Sequence, residues 1–158
     1  MTQDDSGNTV DAAEGSGTLG EILLALGGRV TRLQTELLAS LDPPLTIRQY
    51  RILSRVDNGY TSLTALCKLA HRNPSTMSQS VDKLVQLGLL TRGTAEHSRR
   101  TMHLVLTGRG HEVLAASNRT LRKFTDSLTA GVPANLQEQL MPVVYQLYAD
   151  LQGDLDDS

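Results

Sequence analysis

The chain has 158 residues, with 39% hydrophobic and 20% charged side chains, a formal net charge of −2 and one cysteine. That is enough chain for one domain with a sizeable core, in an ordinary soluble composition. It excludes a disordered chain, an internal disulfide and, for want of any apolar run near 20 residues, a membrane-spanning helix; the expected location is the cytoplasm.

Residues 1–17 are rich in Gly, Ser, Thr and Asp, carry no basic, apolar leader pattern, and read as a disordered tail. Thr18 is placed to cap a helix. Leu19, Leu23, Leu26, Val30, Leu33, Leu37 and Leu41 then recur at three- and four-residue steps, the stripe of an amphipathic helix. Gly27–Gly28 inside it calls for a bend or for another backbone approaching closely. Asp42-Pro43-Pro44 ends it. Thr46 opens a second helix with Ile47, Tyr50, Ile52, Leu53 and Val56 as apolar positions, stopped at Asn58-Gly59. Thr61 or Ser62 caps a short third helix holding Leu63, Leu66, Cys67, Leu69 and Ala70. Asn73-Pro74 restarts the chain as a fourth helix, with Asn as N-cap and Pro at the first helical position, and Gly88 closes it.

After Gly88 the period changes from helical to alternating. Leu89 to Arg92 reads as a short strand. Gly93 to Arg100 is polar and turn-like, and Met102, Leu104 and Leu106 mark a half-buried strand. Thr107 caps a long helix through Val113, Leu114, Leu121, Phe124 and Leu128. Gly131-Val132-Pro133 breaks it. Leu136, Leu140, Val143, Val144, Leu147 and Leu151 form a last stripe before an acidic tail at 153–158. The expected class is mainly α with a small β-hairpin: a winged helix-turn-helix at 45–107, flanked by a helical dimerisation region at 18–42 and 108–152. Three long apolar stripes exceed what a small winged helix covers, which favours a dimer.

The charge is unevenly spread. Residues 1–43 sum to −5, residues 44–110 to +7 and residues 111–158 to −4. A basic middle between acidic ends points to a polyanionic partner for the middle. In the helix starting at Pro74, Ser75, Ser78, Gln79, Asp82, Lys83 and Gln86 form a polar face opposite Met77, Val81 and Leu84. Small polar side chains crowd its first turn, where a recognition helix meets base edges; Gln79 suits adenine, and Ser75 and Ser78 suit either donor or acceptor. Arg72, Thr76 and Lys83 are the expected phosphate contacts. Arg92, His97, Arg99 and Arg100 are expected on the hairpin wing, where arginines suit the narrow, electronegative minor groove.

LTIRQYRILSRV at 45–56, LTALCKLA at 63–70, NPSTMSQSVDKLVQLGLLTR at 73–92 and SRRTMHLVLTGRG at 98–110 resemble the MarR family of transcriptional regulators. Arg100, Leu106 and Thr107 fit the family's wing signature, while Ser98 stands where that signature has Asp. The resemblance spans roughly residues 19–152. It implies a cytoplasmic, effector-responsive homodimer that binds a pseudo-palindromic double-stranded operator, as a repressor released by a small molecule, with aromatic and anionic compounds among the candidates.

Several residues admit other roles. Arg29 faces either an effector pocket or an ion pair with Glu21 or Glu36. Cys67 reads as a packed structural thiol rather than a redox sensor. His71, His97, His103 and His111 lack metal-ligand spacing, so no metal or other cofactor is expected. The competing readings are a redox- or metal-responsive regulator of the same fold and a winged-helix interaction module without DNA binding. No nucleophile–base, phosphate-loop or paired-carboxylate motif supports an enzyme. Deleting residues 1–17 and 153–158 is expected to raise affinity for random-sequence duplex at low salt, as measured by fluorescence anisotropy.

Overall fold

A computed structural model describes residues 17–70, 73–95 and 98–156. The order is α1 (Leu19–Ala39), α2 (Ile47–Asp57), α3 (Leu63–Ala70), α4 (Pro74–Gln86), β1 (Leu90–Ala95), β2 (Ser98–Leu106), α5 (Gly108–Thr129) and α6 (Ala134–Asp156). It is a mostly helical chain with one two-stranded antiparallel hairpin, as the residue patterns require. Among the described residues no helix is long and apolar enough to cross a membrane. The tail expected at 1–17 lies outside the described residues, apart from Gly17.

Local capping sets most helix starts. Thr18 and Glu21 form a reciprocal capping box at α1, and Thr46 and Gln49 form one at α2. The two hydrogen bonds from Thr18, backbone first, hold the Glu21 carboxyl below its ordinary pKa. Ser62, not Thr61, caps α3: its Oγ accepts from the Ala65 N–H at 3.1 Å. Asn73 caps α4 with Pro74 at the first position, and Thr107 caps α5. Gly59 and Gly88 take positive φ angles of 90° and 69°, turning the chain after α2 and α4 where a side chain would be strained.

The core is drawn from the middle of the sequence. Ile52, Leu53 and Val56 of α2, Leu66 of α3, Met77, Val81 and Leu84 of α4, Leu104 and Leu106 of β2, and Val113, Leu114 and Leu121 of α5 are all buried. From α1 only Leu38 joins them, and from α6 between residues 134 and 151 none does. Cys67 is half-buried and packs against this core. Gly27 and Gly28 lie within an unbroken helix, and beyond their own turns no described residue comes within 4 Å of a Cβ built on either.

The hairpin is longer than the alternation of apolar residues implies. Pairing runs from Leu90↔Leu106 through Gly93↔His103 and Thr94↔Met102, with an irregularity after Thr94, so the polar stretch read as a turn from Gly93 is largely strand. Ladder hydrogen bonds come from the backbone and need no apolar side chain once the wing has left the core. The hairpin base is tied to the body by Leu104 N–H donating to the Thr61 carbonyl at 2.7 Å, and His103 Nδ1 lies 2.9 Å from Thr61 Oγ1. Likewise α6 stays helical through Asp156, into the segment read as an acidic tail, and it contains Pro142.

At the base of the hairpin α5 begins against the end of α4. Thr107 N–H donates to the Leu89 carbonyl at 3.1 Å. Thr107 Oγ1 donates to the Gly88 carbonyl at 2.6 Å and accepts from Gly110 N–H at 2.9 Å. A Cβ on Gly110 would sit 2.1 Å from the Leu89 carbonyl oxygen. Replacement by alanine must therefore push α5 off this junction. Gly110→Ala is expected to cost about 2 kcal/mol or more, read as a fall in the thermal midpoint of about 5 °C or more by circular dichroism.

Candidate nucleic-acid interface

On α4 the buried residues Met77, Val81 and Leu84 leave a polar face turned outward. Ser75, Gln79 and Lys83 are exposed, and Thr76, Ser78 and Asp82 are half-buried on the same helix. Asn73 Oδ1 accepts both the Ser75 N–H at 2.9 Å and the Ser75 hydroxyl at 3.1 Å. The cap thus holds the first turn of α4 open toward solvent. It leaves N–H groups and the positive end of the helix dipole facing outward.

An open groove of about 550 Å³ runs along one side of α4. Its walls are Thr76, Gln79, Ser80 and Lys83 of α4, Thr46 to Gln49 at the start of α2, and Thr35 of α1. Arg48 and Lys83 make it cationic. Sequence patterns single out the α4 residues but miss this second wall. The only local signal for it is the Thr46–Gln49 capping box, which orders the α2 N-terminus without saying what it faces.

Arg92 does not lie at the wing tip. It sits low on β1, opposite Leu104, and its Nη2 donates to Asp82 Oδ1 on α4. The backbones of Arg99 and Arg100 lie on β2, toward the end of the hairpin. Their side chains, together with Arg72 and His97, lie outside the described residues. The structure thus brings Ser75, Thr76, Ser78, Gln79, Lys83 and Arg92 together around α4.

Arg29 stands apart from this face, exposed on α1. Its expected acidic partners are engaged elsewhere: Glu36 accepts from Arg32 Nε at 2.9 Å, and Glu21 belongs to the Thr18 cap. His111 Nδ1 lies 3.4 Å from Asp57, joining α5 to the end of α2. His103 and His111 therefore have separate partners, and among the described residues no three His, Cys, Asp or Glu side chains group as a metal site. Tyr50 of α2 donates from its hydroxyl to Asn118 Oδ1 of α5 at 2.9 Å, and burial pushes its phenol pKa up. This bond ties the helix that walls the groove to the long helix behind the core.

Residues 44–101 match the model of the MarR family. No curated protein sequence matches the chain. Among solved structures it is similar to MepR, a transcription regulator of the Staphylococcus aureus multidrug efflux pump MepA. That likeness has 15% identity and a TM-score of 0.72, covering 85% of this chain and 99% of the other. It is similar to wild-type apo MarR from E. coli at 20% identity and a TM-score of 0.68, covering 83% and 97%. A mutant of E. coli MarR complexed with operator DNA is matched at 20% identity and a TM-score of 0.66, covering 82% and 92%. Residues 44–101 thus match the MarR family model, and most of the chain shares the winged-helix fold of the solved MarR and MepR structures.

Proposed function

We propose that this chain is a homodimeric, sequence-specific double-stranded DNA-binding transcriptional regulator. It acts as a repressor that leaves a pseudo-palindromic operator when a small effector binds. The observation that carries the reading is the exposed polar face of α4, beside a cationic groove and a hairpin, within the segment that sums to +7. Ser75, Ser78 and Gln79 are the base-reading side chains. Arg48 and Lys83, from the two walls of the groove, hold phosphates, with Arg72 and Thr76 as further contacts. Arg99 and Arg100 work from the wing, with His97 as a further contact. A mutant of E. coli MarR, similar in fold, has been solved with operator DNA, which supports the duplex-binding reading.

Dimerisation rests on what the single chain leaves uncovered. Leu19, Ile22, Leu23 and Leu26 of α1 and Leu136, Leu140, Val143, Val144 and Leu151 of α6 are all exposed. That much apolar surface on two helices marks an association face. In a symmetric dimer α1, α5 and α6 form the shared helical region, and the two α4 helices fall about one duplex turn, ~34 Å, apart. Gly27–Gly28, with open space around both, lets a partner backbone approach closely. Arg29 on the same helix is the candidate contact for an anionic effector held between the subunits.

In a mobility-shift titration on genomic fragments, affinity is expected to fall with a log–log salt slope of about −5 or steeper. Retention of no fragment at low salt would overturn the reading. Arg99→Ala with Arg100→Ala is expected to weaken operator binding strongly. Gln79→Ala is expected to change the sequence recovered by binding-site selection, at about 1–3 kcal/mol of discrimination at one base pair, with little change in non-specific affinity. Leu140→Glu with Val144→Glu is expected to give a monomer by sedimentation equilibrium, with operator affinity lost alongside.

A further inference from the structure

Asp82 stands on a surface that the proposed function lays against a polyanion. Ser75, Gln79, Asp82 and Gln86 follow one another at i, i+4, i+7 and i+11, so the carboxylate shares the line of the base-reading residues. A lone carboxylate there would repel phosphates and weaken binding to every sequence. Asp82 is paired instead, accepting from Arg92 Nη2 across the gap between α4 and β1. Both side chains remain open to solvent, at 45% for Asp82 and 38% for Arg92. An exposed pair of this kind adds little to stability. Its effect is geometric. A guanidinium offers five N–H donors in a rigid planar fork. A carboxylate bound at one terminal nitrogen fixes the plane and leaves further donors for a second acceptor.

We infer that Asp82 is a positioning residue that holds Arg92 beside the reading face of α4, where the arginine contacts the operator together with Gln79. This rests on the duplex-binding reading above. The acceptor is a paired set of electronegative atoms, supplied either by a guanine edge or by a phosphate. The arrangement makes Arg92 part of the recognition-helix surface, not of the wing, because the ion pair anchors it at the hairpin base. It also accounts for an acid on a DNA-facing helix: the carboxylate repels phosphates in general and improves one contact in particular.

The sign of the Asp82→Asn effect tests this. Removing a negative charge from a DNA-facing surface should, by charge alone, tighten binding to operator and random duplex alike. If Asp82 positions Arg92, Asp82→Asn weakens the operator roughly tenfold while random-sequence affinity at low salt rises. Retained random-sequence binding also shows that the variant is folded. In an Arg92→Ala background the operator penalty of Asp82→Asn is expected to disappear, and Asp82→Glu is expected to keep operator affinity. Binding-site selection with Arg92→Ala separates the two acceptors: loss of preference at one guanine assigns the base edge, and uniform weakening assigns the phosphate. Equal tightening on operator and random duplex by Asp82→Asn would overturn the positioning role while leaving duplex binding intact. Failure of the unsubstituted chain to bind any duplex would remove the reading on which it rests.

Discussion

The carbonyl groups of Gly88 and Leu89 are where α4, the hairpin and α5 meet, and the Thr107 hydroxyl is bonded on both sides there. It donates to Gly88 and accepts from Gly110 N–H, while its own backbone N–H takes the Leu89 carbonyl. A carbonyl left bare at the end of α4 would carry a desolvation cost with no partner. The contact is so close that only a glycine fits at position 110. The α4 helix, the hairpin and α5 therefore keep a fixed relation through hydrogen bonds and one absent methyl group. The hydrophobic core surrounds this junction but does not define its geometry, because apolar packing is not directional.

From that junction the chain divides its surfaces by chemistry. The core of α2, α3, α4 and the hairpin strands is closed within one chain, and its outer side is polar and cationic. The helices α1 and α6 show the reverse, with apolar side chains turned to solvent and almost nothing buried. A single chain satisfies the winged helix but not its flanking helices. The proposed dimer covers the second surface and sets the spacing of the first. The Tyr50–Asn118 bond runs between the two regions, from the helix that walls the groove to α5.

Electrostatics follow the same division. A net charge of −2 conceals a middle segment of +7, and the acidic residues are concentrated toward the ends of the chain. Asp82 is one of three acids within the basic segment, and it stands on the outward face of α4. Its pairing with Arg92 turns a local repulsion into a geometric constraint. Total charge is a poor guide to such a surface, since screening confines each charge's influence to about 8–10 Å.

The sequence by itself determined whatever depends on residues a few positions apart. Thr18, Thr46, Asn73 with Pro74, and Thr107 each announce a helix start, because a cap is made by neighbours in the chain. The alternation of Leu104, Val105 and Leu106 announces the inner strand, and the family resemblance is carried by the same segments. Tertiary structure alone decided what depends on residues distant in sequence. Arg92 shows nothing in the sequence of its bond to Asp82 on α4. The hairpin reads as short because polar strand residues leave no hydrophobic pattern. The need for glycine at position 110 appears only once Leu89 lies against it. The wall at Thr46 to Gln49 carries a helix-start signal but nothing that marks it as part of a groove, since that comes from facing Gln79 and Lys83. Hydrogen-bonded caps and periodic burial are local and leave a mark in the order of residues. Ion pairs, close approaches and grooves arise where separate elements meet, and only the packed chain brings their two sides together.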